Sequence, residues 1–142
     1  MKKINGHPTV VLADDNDRVL LRVCRLLSPA YEVIEMVGDG SKAADAIKRF
    51  DPDVAVLDIS MPGLDGLGVV RELRRERCRT RIVFLTIHEH EDYISAAIAS
   101  GADGYVLKRR MRSELIHAIE EALAGRRFVS SYPAIREQES QR

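Results

Sequence analysis

The sequence predicts an α/β fold: a parallel five-stranded sheet, doubly wound as (βα)5, with helices on both faces. Five short apolar runs, rich in β-branched residues, are each followed by a longer stretch of helical period. The runs are continuously apolar instead of alternating, the pattern of strands covered on both faces. Composition agrees, since 142 residues at 45% hydrophobic and 31% charged make one globular domain. A chain of this length buries roughly 68–70% of its unfolded surface and needs no disulfide or structural metal to stay folded.

Taken in order, the strands are expected at Thr9 to Ala13, Tyr31 to Val37, Val54 to Leu57, Ile82 to Leu85 and Gly104 to Leu107. The first helix follows Asn16, a good cap, and carries Val19, Leu20, Val23 and Leu27 on one stripe. Asp51-Pro52 stops the second helix and Gly101 the fourth. The last helix carries Leu115, Ile116, Ile119 and Leu123, with Gly125 just past its end. This divides the chain into an extension at residues 1–7, a domain at 8–127 and a polar tail or linker at 128–142.

Several function classes are excluded or disfavoured. The 22 basic and 22 acidic side chains balance, which leaves no electrostatic footprint for nucleic acid, and direct DNA binding by this chain is not expected. Neither a signal peptide nor a run of 18 apolar residues is present, so a cytoplasmic domain without membrane contact is expected. Cys24 and Cys78 lack CxxC spacing and fit a reducing compartment.

In a doubly wound sheet the carboxyl ends of the strands open onto one crevice. Here they run into Asp14 and Asp15, Asp58, Thr86 and Lys108, at separations of whole βα units. Each has a bland alternative: a helix cap, a turn before Met61-Pro62-Gly63, a strand end, a solvated charge. Together they say more. Three converging carboxylates repel one another unless a cation or lysine stands among them, and Mg²⁺, which takes oxygen ligands from a few carboxylates, is the economical choice.

The residues Leu-Ala-Asp-Asp-Asn at 12–16, Leu-Asp-Ile-Ser-Met-Pro-Gly-Leu-Asp-Gly at 57–66, Leu-Thr at 85–86 and Gly-Ala-Asp-Gly-Tyr-Val-Leu-Lys at 101–108 resemble the receiver domains of two-component response regulators, over about residues 8–127. With Glu114-Leu115, Ala118-Ile119 and Ala124-Gly125, the resemblance leans to the subfamily with a helix-turn-helix DNA-binding output domain behind the receiver. It implies strand order 2-1-3-4-5, as in flavodoxin. It further implies that Asp58 accepts a phosphoryl group from a sensor histidine kinase, that Asp15, Asp58 and the Ser60 carbonyl hold Mg²⁺ with Asp14 acting through a metal-bound water, and that Lys108 neutralises a phosphoryl oxygen. Thr86 and Tyr105 would form the switch, with homodimerisation on phosphorylation. Such a domain is a signalling phosphoacceptor and not an enzyme in the ordinary sense, though it assists its own phosphorylation and dephosphorylation. With 18 residues after Ala124, the chain is expected to act through a transcriptional output domain absent from it, or as a stand-alone or protein-binding receiver.

Two positions depart from the family pattern. Ile87 stands where a small residue is usual, and its stiff side chain is expected to gate access to Asp58 unless it turns into the core. Arg109 stands where proline is common. His88 and His90 are expected to be solvated loop residues, His117 a surface residue, and the arginines from Arg71 to Arg81 a charged outer face interleaved by Glu72 and Glu76. Rival functions fail on the residues. A flavodoxin-like cofactor enzyme needs a glycine-rich phosphate cradle, whereas Asp14-Asp15-Asn16-Asp17 repels phosphate, and a haloacid-dehalogenase-type phosphatase carries its nucleophile in a DxD after the first strand, whereas Asp58 follows the third strand here and Ser60 takes the second position.

Overall fold

The computed structural model describes residues 3, 4 and 6–130. Its core is the expected parallel sheet. Strands β2 (His7–Ala13), β3 (Glu32–Val37), β4 (Val54–Leu57), β5 (Arg81–Thr86) and β6 (Gly104–Leu107) lie in the order β3-β2-β4-β5-β6, which is 2-1-3-4-5 when counted over these five. Two short strands extend it. At the amino end β1 (Lys3–Ile4) pairs antiparallel with the start of β2, and beyond the last helix β7 (Phe128–Val129) adds a parallel strand outside β6. Phe128 and Val129 therefore belong to the sheet, although the polar stretch around them reads as a tail. The remainder of that stretch, residues 131–142, lies outside the described residues.

Odd and even strand positions face opposite layers, as a pleated strand requires. Val11, Ala13, Ala55, Leu57, Ile82, Phe84, Tyr105 and Leu107 pack under helices α2 (Gly40–Phe50), α3 (Gly66–Arg75) and α4 (Glu91–Ser100). Val10, Leu12, Val54, Val56, Val83, Leu85 and Val106 pack under α1 (Asp17–Leu27) and α5 (Met111–Leu123). Burial on both sides explains the unbroken apolar runs Val54–Leu57, Ile82–Leu85 and Tyr105–Leu107 in β4, β5 and β6. Each fully buried leucine, isoleucine or phenylalanine contributes roughly 1.5–3 kcal/mol. Cys24 and Cys78 are free, half-buried thiols.

The helix signals act where they stand in the sequence. Asn16 caps α1 by accepting hydrogen bonds from the Arg18 and Val19 amides at 3.0 and 3.3 Å. Asp51 ends α2 in the left-handed conformation at φ 46°, ahead of Pro52. At the start of α3, Gly66 is required by close approach. A Cβ there would lie 2.3 Å from the Asp58 carbonyl oxygen and 2.8 Å from the Phe84 ring, so only glycine lets the helix begin against the loop that follows β4.

Candidate acceptor crevice

The carboxyl ends of β2, β4, β5 and β6 meet at one edge of the sheet. Two backbone bonds fix the acidic residues there: the Asp14 amide donates to the Val37 carbonyl and the Asp58 amide to the Ala13 carbonyl, both at 3.0 Å. The Asn16 amide donates to Asp14 Oδ1 at 2.8 Å and orients that side chain inward. Asp14 and Asp58 are 3% and 5% exposed, whereas Asp15 faces solvent. One carboxylate oxygen from each of the three lies within 4.8 Å of the others. Lys108, at the start of a short 3₁₀ turn (Lys108–Arg110) after β6, reaches back across the crevice. Its Nζ lies 2.7 Å from Asp14 Oδ2 and 3.0 Å from Asp58 Oδ2.

One ammonium does not balance three carboxylates. Burial raises the pKa of Asp14 above 3.8 and the nearby Asp58 adds to the rise, while Lys108 and the Asn16 amide oppose it without cancelling it. For Lys108, burial alone would lower the pKa, but its hydrogen bonds and attraction to Asp14 and Asp58 outweigh that and raise it above 10.5. The crevice is thus short of positive charge. Consistent with this, Asp58 Oδ1 is buried without a hydrogen-bond partner among the described residues. Such an orphaned acceptor is costly in a protein interior, and this one fits a site built to receive an electrophile: a cation, phosphorus, or both. Three clustered carboxylates with an unsatisfied oxygen among them are a hard-oxygen donor set suited to Mg²⁺.

The loop after β5 forms the other wall. Thr86 is fully buried at the strand end, and its Oγ1 accepts from the His88 amide at 3.3 Å. Tyr105 is buried too, and its hydroxyl donates to the His88 carbonyl at 2.7 Å. Ile87 points outward at 70% exposure and takes no part in the core, which removes the core alternative. His88, expected to be solvated, is instead half-buried. Its Nε2 lies 2.7 Å from Ser60 Oγ across the crevice mouth, and its ring stacks on Tyr93 at 4.0 Å between centroids. Arg109 Nε donates to Glu89 Oε1 at 2.8 Å and ties the turn after β6 to the same loop. Sequence reasoning missed His88 because its partner lies 28 residues away; its position two residues after Thr86 was the only signal. His117 is exposed as expected, with its ring edge-on to Phe128.

Residues 10–120 match the family described as the response regulator receiver domain. The chain belongs to that family. This receiver domain is 33% identical over 129 residues to the nitrate/nitrite response regulator protein NarL of Escherichia coli K12, covering 89% of this chain and 60% of the relative. It is 36% identical to the nitrate/nitrite response regulator protein NarP of the same organism, over 85% of this chain and 57% of that one. The chain therefore spans about three-fifths of the length of these relatives. Among solved structures, a LuxR-family two-component response regulator from Aurantimonas superposes with a TM-score of 0.85 at 31% identity, over 96% of this chain and 97% of the other. The signal receiver domain of the putative response regulator NarL from Mycobacterium tuberculosis gives 0.81 at 34% identity, over 84% and 98%. Among the described residues, no helix is long and apolar enough to cross a membrane.

Proposed function

We propose that Asp58 is the phosphoacceptor of this receiver, taking a phosphoryl group from the phosphohistidine of a sensor histidine kinase. An Asp58 carboxylate oxygen attacks phosphorus; the P–O bond forms as the P–N bond breaks, and the electron pair returns to the kinase imidazole. The observation that carries the reading is the state of the two Asp58 oxygens: Oδ2 is pinned by Lys108 at 3.0 Å, while Oδ1 is buried and unpartnered. Phosphoryl transfer asks a protein mainly for positioning and charge neutralisation, which one carboxylate, one lysine and an oxygen-bound cation supply. Asp15 and Asp58, with the Ser60 carbonyl and Asp14 as further donors, would hold Mg²⁺, which when bound offsets charge on the transferring group. Lys108, already aligned on Asp58, neutralises a phosphoryl oxygen, and the same site assists hydrolysis of the product.

The acyl phosphate adds about one negative charge and three acceptor oxygens to the crevice. Thr86 answers by turning its hydroxyl toward them. That breaks its bond from the His88 amide, and since Tyr105 is held by the His88 carbonyl, both switch residues move through one loop. A coupling of about 1–3 kcal/mol is typical for such a link and biases the face formed by α4, β6 and α5. The exposed Ile87 gates approach to Asp58. The receiver proper spans residues 8–127, with its sheet extended by β7; it acts in the cytoplasm, self-associates when phosphorylated and regulates transcription through a DNA-binding output domain. Intact-mass measurement after incubation with acetyl phosphate and Mg²⁺ tests the reading. The wild type gains one phosphoryl group and Asp58→Asn gains none; labelling of Asp58→Asn overturns the assignment, and an unlabelled wild type points to a phosphorylation-independent module.

A further inference from the structure

The residue after β7, Ser130, is almost fully buried although it lies beyond the last helix. Its hydroxyl has two defined partners. It donates to Glu114 Oε1 in the first turn of α5 at 2.8 Å, and it accepts from the Leu107 amide at 3.0 Å. The Ser130 amide in turn donates to the Tyr105 carbonyl at 2.8 Å. A serine hydroxyl that both gives its proton and receives one has no rotational freedom left, so it links β6 to α5 at a set distance.

We propose that Ser130 is a positioning residue of the phosphoacceptor site, pegging the peptide from which Lys108 projects. The proposal rests on the reading of Asp58 given above. Leu107 is buried, and its amide faces outward from the sheet, where a two-residue β7 ends just short of it. Ser130 Oγ stands in for the missing strand partner. Lys108 follows at once and must bring its Nζ to within 2.7 Å of Asp14 and 3.0 Å of Asp58 together. Its long side chain has many rotamers, so the alignment depends on where the backbone is held, and the peg fixes the last peptide before it. The peg also touches the backbone on both sides of Val106, between the switch tyrosine and the lysine. The stretch Phe128–Ser130 is thereby part of the acceptor domain.

Three measurements on the full chain test this. Ser130→Ala removes the hydroxyl, and Val129→Ala removes a neighbouring partly buried apolar contact while leaving the hydroxyl in place. Ser130→Ala is expected to accelerate exchange of the Leu107 amide. It should also slow Mg²⁺-dependent labelling at saturating acetyl phosphate by about tenfold, well inside the 10²-fold that a 1 Å misplacement can cost, with the half-saturating donor concentration unchanged. Val129→Ala is expected to lower stability and keep the wild-type labelling rate. An unchanged rate or unchanged Leu107 exchange in Ser130→Ala overturns the proposal, as does equal slowing in both variants. A wild type that takes no phosphoryl group overturns the phosphoacceptor reading itself, and the positioning role falls with it.

Discussion

The two ends of the sheet both gather charge, and they treat it in opposite ways. At the amino ends of the strands, Arg74 donates from Nε to the Gly101 carbonyl at 3.1 Å, from Nη1 to the Cys78 and Thr80 carbonyls at 2.8 and 2.9 Å, and from Nη2 to Asp103 at 3.0 Å. Asp103 accepts as well from the Ile82 amide at 2.9 Å and pairs with Arg81 at 3.5 Å. Two guanidinium groups share one carboxylate there with each polar group hydrogen-bonded, and the cluster binds α3 to the turns that lead into β5 and β6. At the carboxyl ends three carboxylates share one lysine, Asp14 is held above its ordinary pKa, and a buried oxygen of Asp58 has no partner. Saturated ion clusters hold a fold together, whereas an unsaturated one spends stability to keep a site reactive. Removing the Arg74 charge should therefore harm the first end, and removing a carboxylate charge should relieve the second.

The largest effect is expected at Arg74. Arg74→Ala removes a donor from three carbonyls and from the Asp103 carboxylate and should cost about 3 kcal/mol in urea unfolding, near the upper end for a charged hydrogen-bonding group. A loss below about 0.5 kcal/mol would mean that the cluster is an ordinary solvated surface. Neutralising the other end should act in the opposite direction. The pKa of Asp14 is raised in the folded chain, so folding holds this proton more tightly than the unfolded chain does. Its ionisation costs stability at neutral pH, and the cost fades as pH falls through the folded pKa toward 3.8. Asp14→Asn should thus be more stable than the wild type at neutral pH, with the gain shrinking on acidification. A neutral-pH loss, or a gain that grows in acid, contradicts the account. Lys108, raised above 10.5, contributes stability below that value and loses it only as pH rises through its folded pKa. The smallest effect on folding is expected at Ile87, whose side chain is 70% exposed. Ile87→Ala should change stability by less than about 0.5 kcal/mol. If the side chain gates the crevice, the same variant dephosphorylates faster with unchanged Mg²⁺ affinity; equal rates leave it an ordinary surface residue.

The inner strands were legible because burial on both faces demands unbroken apolar runs, and the acidic end was legible because parallel topology sends Asp14, Asp58, Thr86 and Lys108 to one edge whatever the details of packing. What escaped the sequence shares a different logic. Arg74 sits in a run of arginines that reads as a solvated helix face, yet its partners lie as far as 29 residues away. His88 meets Ser60 across 28 residues, and Ser130 meets Leu107 across 23. β7 is two residues long, too short for any alternation to register. Single polar side chains that bridge distant loops leave no periodic trace; only their partners, brought close by the finished fold, give them a role.

The under-neutralised end of the sheet stands or falls as a phosphoacceptor on Asp58 being its nucleophile. Labelling the protein with acetyl phosphate and Mg²⁺, reducing the product with borohydride and mapping the peptides reads the acceptor directly, because an acyl phosphate is reduced to the alcohol. Homoserine is expected at position 58 and at no other aspartate. Homoserine at position 14 or 15, or a borohydride-resistant phosphoryl group on Ser60, would contradict it.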